Sequence, residues 1–240
     1  MGLLYQSDCY LKEFDAKVVS VKDNKYVVLD QTAFYPKSGG VDCDTGQLIA
    51  QDGTAYNVVF VGKFSGEISH EIDAAGKHLL KEGDKVKGIL DWDRRYLLMR
   101  YHTAAHVLSG VFSRDAGAKI TGNDLNVDKG RIDFDLEDFD REKLAVYFEK
   151  ANSIISQDLP IKIYSLTRAE AESDPSIFKL AKTLPEHMRE FRIVDIVGFD
   201  RQADGGCHVQ SLKEIGKIEF LKAENKGKSN RRVYFRLIGC

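Results

Sequence analysis

The stretch DWDRRYLLMRYHTAAHVLSGVFSRDAG, residues 91–117, decides how the rest of the chain is read. Leu98, Tyr101, Ala105, Leu108 and Phe112 recur at steps of three and four, which predicts a helix with one apolar face. Gly117 is its natural stop. Everything before this helix has the period of β-structure, and everything after it mixes helix and strand.

Upstream, AKVVSVKDNKYVVLD (16–30) alternates apolar and polar residues around Asp23-Asn24 and predicts a hairpin. TAYNVVFVGKF (54–64), GEISHEID (66–73) and DKVKGILDWD (84–93) read as further strands between Gly and Asp turns. Short strands at this spacing predict a small β-barrel over residues 1–92. Downstream, GRIDFDLE (130–137), PIKIYSL (160–166), FRIVDIVGFD (191–200), CHVQSL (207–212), GKIEFLKAE (216–224) and RRVYFRLI (231–238) read as strands. DREKLAVYFEKANSIISQD (140–158) reads as an amphipathic helix capped by Asp140, and TRAEAESD (167–174) as a cap and helical turn. Residues 93–240 are therefore expected to form an α+β domain with helices packed on a largely antiparallel sheet.

With 35 Lys+Arg against 37 Asp+Glu the chain is not a globally basic nucleic-acid binder. The charge is uneven, however: residues 212–240 carry eight basic and three acidic groups, and residues 133–149 seven acidic and two basic. A near-neutral total can thus contain a positive face for phosphates or simply two solvated surfaces. The opening MGLLYQSDCYLKEF lacks the basic and apolar regions of a signal peptide, no run reaches the roughly 18–20 apolar residues of a membrane span, and the protein is read as cytoplasmic. Cys9, Cys43, Cys207 and Cys240 are too irregularly spaced for a disulfide framework, and no CxxC pair suggests a zinc ribbon.

His102 and His106 lie four apart, which places both imidazoles on one helix face where they can share a metal. The intervening Thr-Ala-Ala contains no glutamate, so this is not a metalloprotease HExxH. The pair alone is common in proteins without metal. QADGGCHVQ (202–210) adds Asp204, Cys207 and His208 around a Gly-Gly turn, and these are ligand-type side chains brought sharply round by glycine. The same turn can equally hold only a buried cysteine. His70, His78 and His187 read as ordinary core or surface histidines.

HTAAH and DGGCH, in this order about a hundred residues apart, resemble the two metal motifs of the editing domain of alanyl-tRNA synthetase and of the freestanding AlaX editing proteins. FYPKSGGVDCDTG resembles the family's glycine-rich loop, through Phe34, Tyr35, Gly39, Gly40, Asp44 and Gly46. DWDRRYLLMRYHTAAH, GRIDFD, FRIVDIVGF and EIGKIEFLKAENKGKSNRRVYF are similar to the corresponding family segments, so the resemblance covers nearly the whole chain. The presence of the N-terminal segment and the length of 240 residues resemble the medium class of AlaX.

The resemblance implies a trans-editing hydrolase that uses one Zn2+ to remove serine, or glycine, from mischarged tRNA(Ala). It implies His102, His106 and His208 as zinc ligands. The family's CGGTH is here DGGCH, which makes Asp204 the candidate fourth ligand or catalytic group, and Val41 replaces the usual glutamine of the loop. Thr103 is a candidate partner for the serine hydroxyl. Arg94, Arg95, Arg100, Lys226, Lys228, Arg231 and Arg232 are candidate tRNA-phosphate contacts. Two alternatives remain at this level: a catalytically inactive tRNA-binding module of the same fold, motivated by the changes at 204 and 207, and a metal hydrolase acting on a small ester or amide.

Overall fold

A computed structural model describes residues 1–76, 78–136, 141–174, 177–178, 189–227 and 229–239. Asp140, His187, Lys228 and Cys240, named above, lie outside these. The described chain divides into two compact units, Met1–Leu98 and Met99–Cys240. The fold is mixed α+β, and its sheets are almost entirely antiparallel.

The first unit contains β1 (Gly2–Leu3), a single turn α1 (Leu4–Ser7), β2 (Glu13–Lys22), β3 (Tyr26–Leu29), β4 (Gln31–Thr32), β5 (Gly46–Ala50), β6 (Ala55–Phe64), β7 (Glu67–Asp73) and β8 (Lys85–Leu90). Short β1 and β4 pair in parallel. The other six strands pair antiparallel in the order β2-β3-β7-β6-β5-β8, and β8 returns to β2, so the sheet closes on itself. Closure leaves no open edge among these strands to pair with another chain. The alternation in β2, exposed–buried through Glu13–Val18, sends Phe14, Ala16 and Val18 inward. Asp23 and Asn24 both adopt positive φ in the three-residue β2–β3 connection, where the Lys25 N–H donates to the Lys22 carbonyl at 3.0 Å.

The long helix α2 (Trp92–Ala116) runs through the division between the units. The expected single apolar face is an underestimate: residues 98–112 are buried on every side, polar ones included. Helix periodicity therefore understates how central this element is.

The second unit continues with β9 (Ile120–Leu125), β10 (Gly130–Phe134), α3 (Arg141–Ile155), β11 (Ile161–Thr167), α4 (Arg168–Glu172), β12 (Glu190–Ile196), β13 (Asp200–Ala203), β14 (Lys217–Asn225) and β15 (Arg231–Ile238). One antiparallel sheet has the order β14-β15-β10-β9, and a second the order β11-β12-β13. The first sheet lies against α2 through Phe112, stacked on Phe134 at 4.2 Å, and through Tyr101 against Phe235. Asn152 of α3 bonds both the N–H and the C=O of Ile218, each at 2.8 Å, which fixes α3 on β14.

Three sequence expectations change. FRIVDIVGFD is not one strand, because Gly198 takes positive φ and folds it into the β12–β13 hairpin. CHVQSL is not a strand: it is irregular until Ser211 bridges Pro160, and a 3-10 turn follows at Leu212–Ile215. β5 and β9 carry weak alternation, and long-range pairing makes them strands. Among the described residues, no helix is long and apolar enough to cross a membrane.

Candidate metal centre

His102 and His106 project from the buried middle of α2, one turn apart. The opposing segment begins where β13 ends at Ala203. Two close approaches bring it to the helix. Gly110 of α2 has no Cβ, and one would stand 2.8 Å from the Phe199 ring in the β12–β13 turn. Gln202 on β13 donates from its amide to Ser109 Oγ at 2.7 Å and to the His106 carbonyl at 3.3 Å. Arg192 on β12 then clamps the turn by donating to the carbonyls of Asp204 and Gly206 at 3.0 and 2.8 Å. Gly206 passes directly under His102, where a Cβ would be 2.5 Å from that ring.

Asp204 and His208 are thereby delivered to the two helical histidines. The four residues each offer a ligand atom, and those atoms all lie within 4.8 Å of one another. The three imidazole rings are 4.2, 4.5 and 5.1 Å apart between centroids. All three Nε2 atoms converge on one carboxylate: His208 is 3.2 Å from Asp204 Oδ1, and His102 and His106 are 3.4 and 3.9 Å from Oδ2. Oδ1 also accepts the Gly206 N–H at 2.6 Å, an Asx-type turn that aims the side chain.

The electrostatics favour a cation. Burial pushes His208 well below the ordinary imidazole range, and the neighbouring His102 and His106 push it further. Burial lowers His106 too, against the opposing pull of Asp204. Burial alone would raise Asp204, but the imidazoles outweigh it and hold the carboxyl well below the usual carboxylate range. At neutral pH His106 and His208 present neutral lone pairs beside an ionised carboxylate. Three imidazoles and one carboxylate form a donor set suited to zinc. His102 Nδ1, on the far side of its ring, is buried without a hydrogen-bond partner. The histidine side chains are almost fully covered, whereas that of Asp204 is 24% exposed, so solvent reaches the cluster on the Asp204 side.

This chain is 52% identical over 238 residues to the alanyl-tRNA editing protein AlaX-M of Methanosarcina barkeri, covering 98% of each chain. It is 46% identical to the AlaX-M of Saccharolobus solfataricus, covering 97% of each. The chain belongs to the AlaX-M family of alanyl-tRNA editing proteins. It is also 37% identical to an alanine–tRNA ligase of Pyrococcus abyssi, matching 97% of this chain and 25% of the ligase. Family models described as "tRNA synthetases class II (A)" and "Threonyl and Alanyl tRNA synthetase second additional domain" match residues 8–94 and 191–234.

Several candidate residues of this AlaX-M chain have other employment. Thr103 is fully buried, and its hydroxyl donates to the Met99 carbonyl, so it is not placed to meet a substrate hydroxyl. Arg95 is 1% exposed and pairs with Asp44, equally buried, while also donating to the carbonyls of Cys9 and Ala33. Arg100 is buried with a bond to the Ile215 carbonyl, and Arg231 is buried with bonds to the carbonyls of Gly227 and Asn230. Internal pairing leaves these three guanidiniums without a phosphate-binding role. Arg232 forks onto Asp133 at 2.7 and 2.8 Å, whereas Arg94 makes one bond to Asp42 at 2.5 Å and one to the Cys43 carbonyl at 2.9 Å. Lys226, paired with Glu224 at 3.0 Å, is the more exposed cation.

The glycine-rich loop is a structural staple. Asp44 accepts the Tyr35 N–H at 2.6 Å and holds Arg95, and Phe34, Tyr35 and Val41 are buried. Gly39 and Gly40 take positive φ, and a Cβ on Gly46 would strike the Ile89 carbonyl at 2.1 Å. Sequence reasoning missed Gln202 and Arg192, the residues that hold the Asp204–His208 turn. Nothing in their local pattern distinguishes them from surface polar residues.

Proposed function

We propose that this AlaX-M protein is a zinc-dependent trans-editing hydrolase that deacylates Ser-tRNA(Ala), and Gly-tRNA(Ala) as a second substrate. The observation that carries the reading is the convergence of three Nε2 atoms and the Asp204 carboxylate at a point solvent can reach. His102, His106 and His208 would hold the ion with Asp204 beside it, which would leave a position for water or substrate. Zinc so held supplies Lewis acidity toward an ester carbonyl. The chain's own residues bury all three histidines, hold His106 and His208 neutral, and leave an ionised carboxylate on the exposed side. An aminoacyl ester is already activated, so hydrolysis needs no Ser-His-Asp triad.

A synthetase pocket for alanine gains only about 1–3 kcal/mol of discrimination from one small group, too little to reject serine or glycine. A second site that binds the serine hydroxyl positively removes the error. Asp204 is the polar group of the cluster in reach of such a hydroxyl, which alanine lacks. Residues 93–240 are assigned to deacylation. Lys226 and Lys228, with Arg94 and Arg232, are assigned to phosphates.

The purified protein should contain one zinc per chain, release serine from Ser-tRNA(Ala) in multiple turnovers and spare Ala-tRNA(Ala). Its KM should rise steeply with salt. Failure to deacylate either mischarged tRNA at substoichiometric protein would refute the proposal. Binding without turnover would instead identify the inactive module.

A further inference from the structure

Thr103 sits between the helical histidines in sequence but touches the third one in space. Its Oγ1 is surrounded by the Met99 carbonyl at 2.9 Å, His208 Nδ1 at 3.1 Å and the Val209 N–H at 3.3 Å. The carbonyl can only accept and the amide can only donate. With its single proton committed to the shorter contact, the Met99 carbonyl, the hydroxyl oxygen is left as an acceptor. His208 must then be the donor to it, carrying its proton on Nδ1, and its Nε2 lone pair is left facing Asp204 Oδ1 and the other two imidazoles.

We propose that Thr103 is a positioning residue for the metal centre, holding His208 in the Nδ1–H tautomer so that Nε2 is always presented as a ligand. The inference rests on the metal reading of the cluster and deepens it. Burial strengthens the case, since Thr103 and His208 are 0% and 1% exposed and no solvent can substitute for the lost partner. A ligand imidazole whose second nitrogen is hydrogen-bonded is fixed in tautomer and rotation, and loss of such a partner typically weakens metal binding about 10–100-fold. The Val209 N–H bond adds a tether: the same oxygen anchors the backbone immediately after His208 to α2.

Two measurements test this without tRNA. Zinc affinity, from competition with a chromophoric chelator, should fall about 10–100-fold in Thr103→Val and recover to within about threefold of wild type in Thr103→Ser, which restores the hydroxyl. Thr103→Val binding zinc as tightly as wild type overturns the proposal, as does Thr103→Ser binding as weakly as Thr103→Val. Imidazole nitrogen NMR of the metal-free wild-type protein should show His208 protonated at Nδ1 and bare at Nε2. The opposite tautomer overturns the proposal whether or not the protein binds metal. A wild-type protein that shows the expected tautomer yet binds no zinc would count against the metal reading and leave the assignment of Thr103 to His208 standing.

Discussion

At the scale of single residues, the candidate metal centre depends on the absence of an atom as much as on the presence of ligand-type side chains. Gly206 packs its Cα beneath His102, and a methyl there would lie 2.5 Å from Cε1 and 2.7 Å from Nδ1. Gly206→Ala should displace the ring and sharply reduce bound zinc, measured by metal analysis, while the circular dichroism spectrum stays native. Full metal occupancy in that variant would show that the turn can retreat from the helix. His70 illustrates the opposite use of an imidazole. It donates from Nδ1 to the Val27 carbonyl at 2.9 Å and accepts at Nε2 from Thr32 at 2.8 Å, and burial drives its pKa from 6.5 down to about 4. The unfolded chain takes up this proton near pH 6.5 and the folded one only near pH 4. The associated stability is therefore complete above pH 6.5 and lost as pH falls to about 4, a change of about 3 kcal/mol. Denaturant titrations across that range should show a steeper decline in wild type than in His70→Gln, and parallel curves would refute the assignment.

At the scale of elements, the first turn of α2 holds two arginines with opposite energetics. Arg95 and Asp44 are both 1% exposed and saturated with hydrogen bonds, so Asp44→Ala strands a buried guanidinium. It should cost about 3–5 kcal/mol in urea denaturation. Arg94 and Asp42 pair with side chains 20% and 25% exposed, and Arg94→Ala should cost no more than about 1 kcal/mol. Comparable losses for the two substitutions would contradict the description of one pair as fully buried and the other as part-buried. Charge patterning alone gives the two arginines the same reading, because adjacent helix positions differ by 100° and only packing reveals which one turns inward.

At the scale of the whole molecule, the chain divides into two compact units. The proposed ion belongs to the second, since His102, His106, Asp204 and His208 all lie beyond Leu98. An ion bound at a hundred times its dissociation constant adds about 2.7 kcal/mol to the form that holds it. Chelation should therefore lower the denaturation midpoint reported by probes in the second unit, and an unchanged midpoint there would refute the metal reading. The sequence by itself determined the strand-rich first half, the long helix, the order of the histidine motifs and the family, because alternation, helical spacing and motif spacing are local properties. It also singled out His102, His106, Asp204 and His208, whose residue types carry metal chemistry wherever they stand. Only the tertiary structure decided that FRIVDIVGFD folds back as a hairpin, that CHVQSL is irregular and ends in a 3-10 turn, that Gln202 and Arg192 bring the Asp204–His208 segment to α2, and that Arg95, Arg100 and Arg231 point inward. Each of those outcomes rests on partners distant in the chain, and a hydrogen bond or a buried charge acquires its meaning from the group it meets.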